Sequence, residues 1–257
     1  MPVKALKSIA LIAATMILVS LACLSGSSIA SPEPESKPVQ VEPTTPVVVA
    51  ELTQTVTIPT AVPTQPLAQQ FFTEEFDTDN GNWDFNVVKN TDTADTSKAK
   101  AEIIDGVFDF AIDGKFLTIY SFYLPYEYEN VKIDLRAENR GTNDNQINII
   151  CRATENGWYE FSIANSGLYV IYAVESGKGY RKLHDGGSTK IKAGKEFNEY
   201  SVICNDRTLS LFINGVETRV FEENEYAFRK GLAGIGVSSF NNLPVEIQID
   251  SVTISEP

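Results

Sequence analysis

The chain has 257 residues, 43% of them apolar, and carries 34 acidic against 21 basic side chains for a formal net charge of −13. Such a surface repels phosphate backbones and anionic headgroups, which argues against nucleic acid or a bare lipid surface as partner. It is equally compatible with simple solubility and with calcium-rich surroundings.

The first thirty residues read as a leader. "MPVKALK" supplies two lysines, "SIALIAATMILVSLACL" is uncharged and apolar, and Ser28 and Ala30 place small residues ahead of a cut before Ser31. That is the three-part plan of a secretory signal peptide, and its apolar run, at about 17 residues, is short for a spanning helix. "SLAC" also resembles a bacterial lipobox ending at Cys23, with Ser20 where a branched apolar residue is usual. Two outcomes stay open: cleavage after Ala30 and release, or cleavage before Cys23 with the cysteine lipidated. Either exports the chain, and only the second ties it to a membrane, through the lipid, at the cell surface.

Residues 31–70 hold most of the chain's 12 prolines, many Thr, Val and Gln, and no glycine. Proline fixes φ and favours extended segments, so a disordered, semi-rigid Pro/Thr-rich linker is expected, a stalk that displays the C-terminal part of the chain. That part, 71–257, is long enough for one substantial core and short for two.

The linker runs into "FFTEEFDTDNGNWDF". Asp77, Asp79 and Asn80 offer hard oxygen ligands, but glycine comes one position early for an EF-hand and Val88 falls where the twelfth ligand would be. A turn using Asp, Asn and Gly for their backbone tolerance explains the same letters. Calcium is the one cofactor for which the sequence offers ligands.

Beyond this turn the period is two nearly throughout. "NVKIDLRA" alternates Val131, Ile133 and Leu135 with Lys132, Asp134 and Arg136; "QINIICRAT" sets Ile147, Ile149, Cys151 and Ala153 on one side. A turn at Glu155-Asn156-Gly157 would place Arg152 opposite Glu160 and Cys151 opposite Phe161. Two-residue turn chemistry around Asn165-Ser166-Gly167 would bring Leu168, Val170 and Tyr172 onto the core side with Tyr159 and Phe161. "EYSVIC" groups Tyr200, Val202 and Cys204. "TLSLFINGVETRVF" is a hairpin about Asn214-Gly215, with Val216, Thr218 and Val220 returning beside Leu209, Leu211 and Ile213. The count comes to about a dozen antiparallel strands, hence an all-β sandwich or jelly roll.

With Cys23 assigned to the leader, Cys151 and Cys204 remain as a pair on core-facing positions. In an exported chain that reads as a disulfide; the alternatives are two buried free thiols or half of a metal site, for which no CxxC or His pair is present.

"INIICRATENGWYEFSIANSGLYVIY", "EYSVICNDRTLSLFINGVETRVF" and the terminal "VEIQIDSVTIS" resemble the concanavalin A-like lectin/glucanase jelly roll. The nearest likeness is to laminin-G-like and 3-keto-disaccharide-hydrolase-like domains of exported bacterial proteins. The resemblance covers most of 71–257 and implies an antiparallel two-sheet sandwich. It says little about activity, because this superfold hosts lectins, hydrolases and adhesion modules alike. The glucanases of the superfamily carry Glu-x-Asp-x-x-Glu on one strand, and the present chain lacks it; Glu246 and Asp250 in "EIQID" are wrongly spaced. Asp134 with Glu160 across neighbouring strands is another conceivable carboxylate pair. The lone His184, in "KLHDGG", is expected as strand-end surface, and no Gly-x-Ser-x-Gly, P-loop or dinucleotide fingerprint is present.

The side of the strands opposite the core is the candidate ligand surface. It is expected to gather Asp134, Arg136, Asn148, Arg152, Trp158, Glu160 and Tyr169. A ring for the apolar face of a pyranose, with carboxylate, amide and guanidinium groups for its hydroxyls, is what glycan binding uses. An Arg152–Glu160 cross-strand pair on a solvated face explains the same residues. The function expected is therefore non-catalytic binding of a carbohydrate or polysaccharide outside the cell. A glycoside hydrolase of the 3-keto-disaccharide type is the alternative, and a protein-adhesion or structural display module the third reading.

Overall fold

A computed structural model describes residues 68–257. The leader, Cys23 and nearly all of the Pro/Thr stretch lie outside the described residues. The elements in chain order are β1 (Phe72–Glu74), β2 (Trp83–Lys89), a single 3-10 turn (Thr96–Lys98), β3 (Ala99–Ile104), β4 (Val107–Ile112), β5 (Leu117–Tyr128), β6 (Val131–Asn139), β7 (Asn145–Thr154) and β8 (Gly157–Ile163). Then come β9 (Leu168–Glu175), β10 (Gly179–Gly187), β11 (Phe197–Asn205), β12 (Thr208–Ile213), β13 (Val216–Glu222), β14 (Gly231–Ser239) and β15 (Val245–Ser255).

These strands form two antiparallel sheets. One runs β13-β12-β11-β6-β15-β4-β3, with β1 also paired to β15; the other runs β10-β9-β8-β7-β14-β5-β2. Neighbours in each sheet are often distant in sequence, as β7 and β14 are, which is the crossing pattern of a jelly roll rather than of a meander. The core lies between the sheets. Ile133, Leu135, Val202, Leu211 and Ile249 from one meet Ile149, Phe161, Ile171, Ile235 and Val237 from the other, all with essentially no exposed surface.

Cys151 on β7 and Cys204 on β11 form a disulfide across this core, with Cα atoms 6.6 Å apart. It joins one sheet to the other. At the Asn214-Gly215 hairpin both residues have positive φ, 50° and 75°, as a type I′ turn requires. The returning strand differs from expectation past that turn. Val216 still stands opposite Ile213, but a register shift opposite Leu211/Phe212 then sends Phe221 to the core side and leaves Val220 exposed.

His184 is not strand-end surface. It lies half-buried within β10, where Arg219 Nη2 donates to its Nδ1 at 2.7 Å and the ring meets Phe221 at 4.1 Å. Burial, then the Arg219 charge, lower its pKa. These contacts link the outermost strands of the two sheets. At the other side of the domain three tyrosine hydroxyls of β5 hold the incoming backbone: Tyr126 donates to Ala68 O, Tyr123 to Gln69 O and Tyr128 to Gln70 O. β1 then pairs with β15, Phe72 opposite Ile254.

Candidate functional site

Three local departures from regular pairing rearrange the expected ligand surface. The first is a bulge in β7. Cys151 pairs with Tyr159 and Thr154 with Gly157, so Arg152 and Ala153 together oppose Trp158. Arg152 adopts a left-handed φ of 58° and leaves the face altogether. Its guanidinium is buried and donates to Glu129 O (2.7 Å), Asp206 O (2.8 Å), Phe228 O (3.3 Å) and Asn130 Oδ1 (3.3 Å). The Arg152–Glu160 pair is therefore absent: Arg152 ties loops together, and Ile150 stands opposite Glu160. Ala153, thrown to the other side by the extra residue, packs with Tyr120 and Ile150 instead of the main core.

The second departure is at the next turn. Ile163 pairs with Tyr169, so three residues stand outside the ladder beyond the Ala164–Leu168 closing bond, with Gly167 at φ 101°. An odd loop reverses the parity that a two-residue loop would give. Tyr169, expected on the ligand side, is buried in the core with Ile171 and Ala173, whereas Val170 and Tyr172 join Trp158 and Glu160. The third concerns which sheet a strand enters. Asp134 and Arg136 lie on β6, in the opposite sheet from Glu160 on β8. Asp134 accepts from Lys132 and Ser201; Arg136 pairs with Asp250 and covers the Phe197 ring at 4.1 Å. Neither reaches Glu160, which disposes of an Asp134–Glu160 carboxylate pair.

Asp79 Oδ1 accepts from Gly81 N and Asn80 Oδ1 from Asn82 N, while the Asn80 amide donates to Glu74. These are the side-chain-to-backbone bonds of Asx turns. Asp77 lies beside Gly106, and among the described residues no three His, Cys, Asp or Glu side chains are placed to hold a metal ion.

Asn148, Trp158 and Glu160 do share the outer face of the seven-stranded sheet. Glu160 is its centre, only 2% exposed. Oε2 accepts from Trp158 Nε1 at 3.0 Å and from the Tyr120 hydroxyl at 2.9 Å; Oε1 accepts from Ser162 Oγ at 3.0 Å. Burial raises its pKa, and these three hydrogen bonds oppose the rise. Tyr120 also meets the hydroxyl of Tyr180 at 2.6 Å. The two tyrosines reach toward each other from β5 and β10 and join above the carboxyl. Burial, then the nearby Glu160 charge, push Tyr180 up to about 12.

Around them stand Phe122 and Trp158, each ring edge-on to the next, and Tyr172, edge-on to Tyr180 at 5.3 Å. Two depressions open here and share Val88 on their walls. One, of about 700 Å³, is lined by Tyr120, Phe122, Trp158 and Leu232. The other, of about 500 Å³, is lined by Tyr172, Tyr180, Thr118, Gln146 and Ser238 with Glu160. The second holds a chain of hydroxyls and amides: Asn90 donates to Thr118, whose hydroxyl bonds Ser238 at 2.8 Å, and Asn148 also donates to Ser238.

Tyr120, Phe122, Tyr172 and Tyr180 were not among the residues expected on this face. A signal for two of them lies in "GIGVSS". Gly234 pairs with Phe122 and Gly236 with Tyr120, and the missing side chains leave a strip of backbone over which the rings lie. A Cβ on Gly236 would stand 2.7 Å from Ile119 O and 2.9 Å from the Tyr120 ring. Gly236→Ala is accordingly expected to cost about 1–3 kcal/mol, the usual penalty of overpacking, and to weaken Tyr120's hold on Glu160. Denaturant unfolding together with tryptophan fluorescence of the Trp158 environment checks both.

No protein-family model matches the chain, and no curated protein sequence does. Solved structures do. A protein of unknown function with a galectin-like fold from Bacillus subtilis superposes with a TM-score of 0.57 at 7% identity, over 72% of this chain and 94% of the other. A Bacteroides ovatus mixed-linkage glucan GH16 protein, solved with its product, gives 0.55 at 14% identity over 72% and 99%. The Bacillus licheniformis β-glucanase gives 0.55 at 10% identity over 73% and 98%. The likeness is one of fold: the domain is a concanavalin A-like jelly-roll sandwich.

Proposed function

We propose that the domain binds a neutral glycan without cleaving it, in the paired depressions on the outer face of the seven-stranded sheet. One observation carries the reading: part-exposed rings of Phe122, Trp158, Tyr172 and Tyr180 surround hydroxyl- and amide-lined space on a single face. Pyranoses present alternating apolar faces and hydroxyl edges, which such a surface complements. The rings are also held in place beforehand. Trp158 is fixed by its bond to Glu160, so little ordering entropy is lost when a sugar stacks on it. The fold is shared with glucanases, which makes glucans natural first ligands to try.

The non-catalytic part rests on Glu160. Retaining hydrolysis needs two carboxyl groups about 5 Å apart, and inverting hydrolysis needs a pair with room for water between them. Glu160's hydrogen-bond partners are an indole, a phenol and a serine, and the next residue along β8 on its face is Ser162. A raised carboxyl pKa is the feature that favours the hydrolase alternative, since general acids are tuned that way. Against it, Glu160 keeps only 2% of its surface exposed where it meets the second depression.

The test is a glycan screen of the full chain beside Trp158→Ala, with reducing-sugar release followed in the same samples. Saturable binding without release is expected, weakened about 30-fold or more in the variant, the equivalent of losing a 2 kcal/mol hot spot. Binding that the variant retains in full sinks the assignment of the face. Sugar release that tracks Glu160 replaces binding with hydrolysis.

A further inference from the structure

The directions of the hydrogen bonds at Glu160 determine what the groove demands of its ligand. Trp158 Nε1–H can only donate, so Glu160 Oε2 must accept. Ser162 lies at the other oxygen. When the carboxyl is ionised, the Tyr120 proton has to point to Oε2, 2.9 Å away. When the carboxyl takes up a proton, Oε1 is the site that can carry it, with Ser162 Oγ turning to accept. Oε2 is then the carbonyl oxygen, the better acceptor of the two, and still receives Trp158 and Tyr120. The ionised carboxyl, and the neutral one protonated at Oε1, both leave Tyr120 donating inward.

With its one proton committed, Tyr120 can only accept from Tyr180, 2.6 Å away. Tyr180 therefore spends its own proton on Tyr120. It is 46% exposed, and its hydroxyl faces the groove with lone pairs and no hydrogen to give. We infer that Tyr180 is a specificity residue that accepts a hydrogen bond from the ligand, so that the groove takes glycans with a free hydroxyl or amino group at that point and rejects those that are O-methylated, sulfated or carboxylated there. The inference rests on the glycan-binding reading and adds the polarity of one contact to it.

The experiment uses the full chain and three proteins, wild type, Tyr180→Phe and Tyr120→Phe. The probes are laminari-, cello- and chito-oligosaccharides and their fully O-methylated forms, with affinities measured by calorimetry. Wild type is expected to prefer the free sugars at least tenfold over the methylated ones. Tyr180→Phe should lose that preference by binding the free sugars about tenfold more weakly. Tyr120→Phe frees the Tyr180 proton to turn outward, so methylated sugars should gain on free ones relative to wild type. Circular dichroism confirms that each variant is folded. Tyr180→Phe binding with wild-type affinity and preference overturns the inference while leaving the glycan reading standing. Wild type binding none of the sugars, free or methylated, overturns both.

Discussion

Glu160→Leu is expected to unfold at lower denaturant than the parent, with a loss of about 2–6 kcal/mol. The substitution takes the acceptor from the Trp158 indole N–H and the Ser162 hydroxyl, while the Tyr120 proton turns to Tyr180, and each buried donor left without a partner costs about 1–3 kcal/mol. Glu160→Gln behaves in the opposite way. Its amide oxygen can receive Trp158 and Tyr120 while its NH2 group donates to Ser162, so every partner is kept and the buried charge is gone. The sign of the pH effect comes from the pKa. Burial raises the folded-state value above the ordinary 4.5, so the folded chain holds this proton more tightly than the unfolded chain. Its contribution to stability is then most favourable below 4.5, declines as pH rises through the folded-state value, and stays at the lower level above it. Glu160→Gln should lack that decline, matching or exceeding the parent at neutral pH. Urea unfolding of the three proteins from pH 4 to 9 isolates this contribution, because the other carboxylates are common to all. A leucine variant as stable as the parent would mean that Trp158 and Ser162 have other partners.

Opening the Cys151–Cys204 bridge should be nearly as costly. The cysteines are 53 residues apart, and a closed loop of that size stabilises by about 4 kcal/mol through the entropy it removes from the unfolded chain. For a domain of this length each kcal/mol moves the melting temperature by about 2–4 °C, so the Cys151→Ala/Cys204→Ala double variant should melt about 8–16 °C lower. Dithiothreitol should lower the parent similarly and leave the variant unmoved. A parent indifferent to reductant would show that the two thiols are not bridged.

Strand existence, core-facing positions and the pairing of the two cysteines were legible in the sequence because each rests on alternation, which survives whatever sheet a strand joins. Ile133, Ile149, Phe161, Val202 and Leu211 all lie where their period puts them. The candidate surface was legible only in part, for reasons of counting. One extra residue at Arg152 throws Ala153 to the other side, an odd loop at 165–167 reverses the two faces of β9, and neither has a strong local signature. Gly157 comes nearest, since a Cβ there would stand 2.1 Å from Val174 O, but that constraint exists only once β9 is in place. Asp134 was misplaced for a different reason: alternation assigns a face and cannot say which of two sheets bears it. Tyr180 arrives at Glu160 from a strand two places away in the sheet, a distance no spacing in the chain encodes.

The pairing of β1 with β15 makes the sandwich a ring rather than a rod. Its first and last strands are adjacent rungs of one ladder, Phe72 against Ile254. Any segment before Phe72 and any segment fused after Ser255 therefore leave from the same corner, where Tyr123, Tyr126 and Tyr128 grip the backbone. A unit of this kind adds bulk to a chain without adding reach. It can be spliced into a longer polypeptide as a bead, or sealed at that corner and reopened at an exposed turn such as 176–178, with every strand pair preserved.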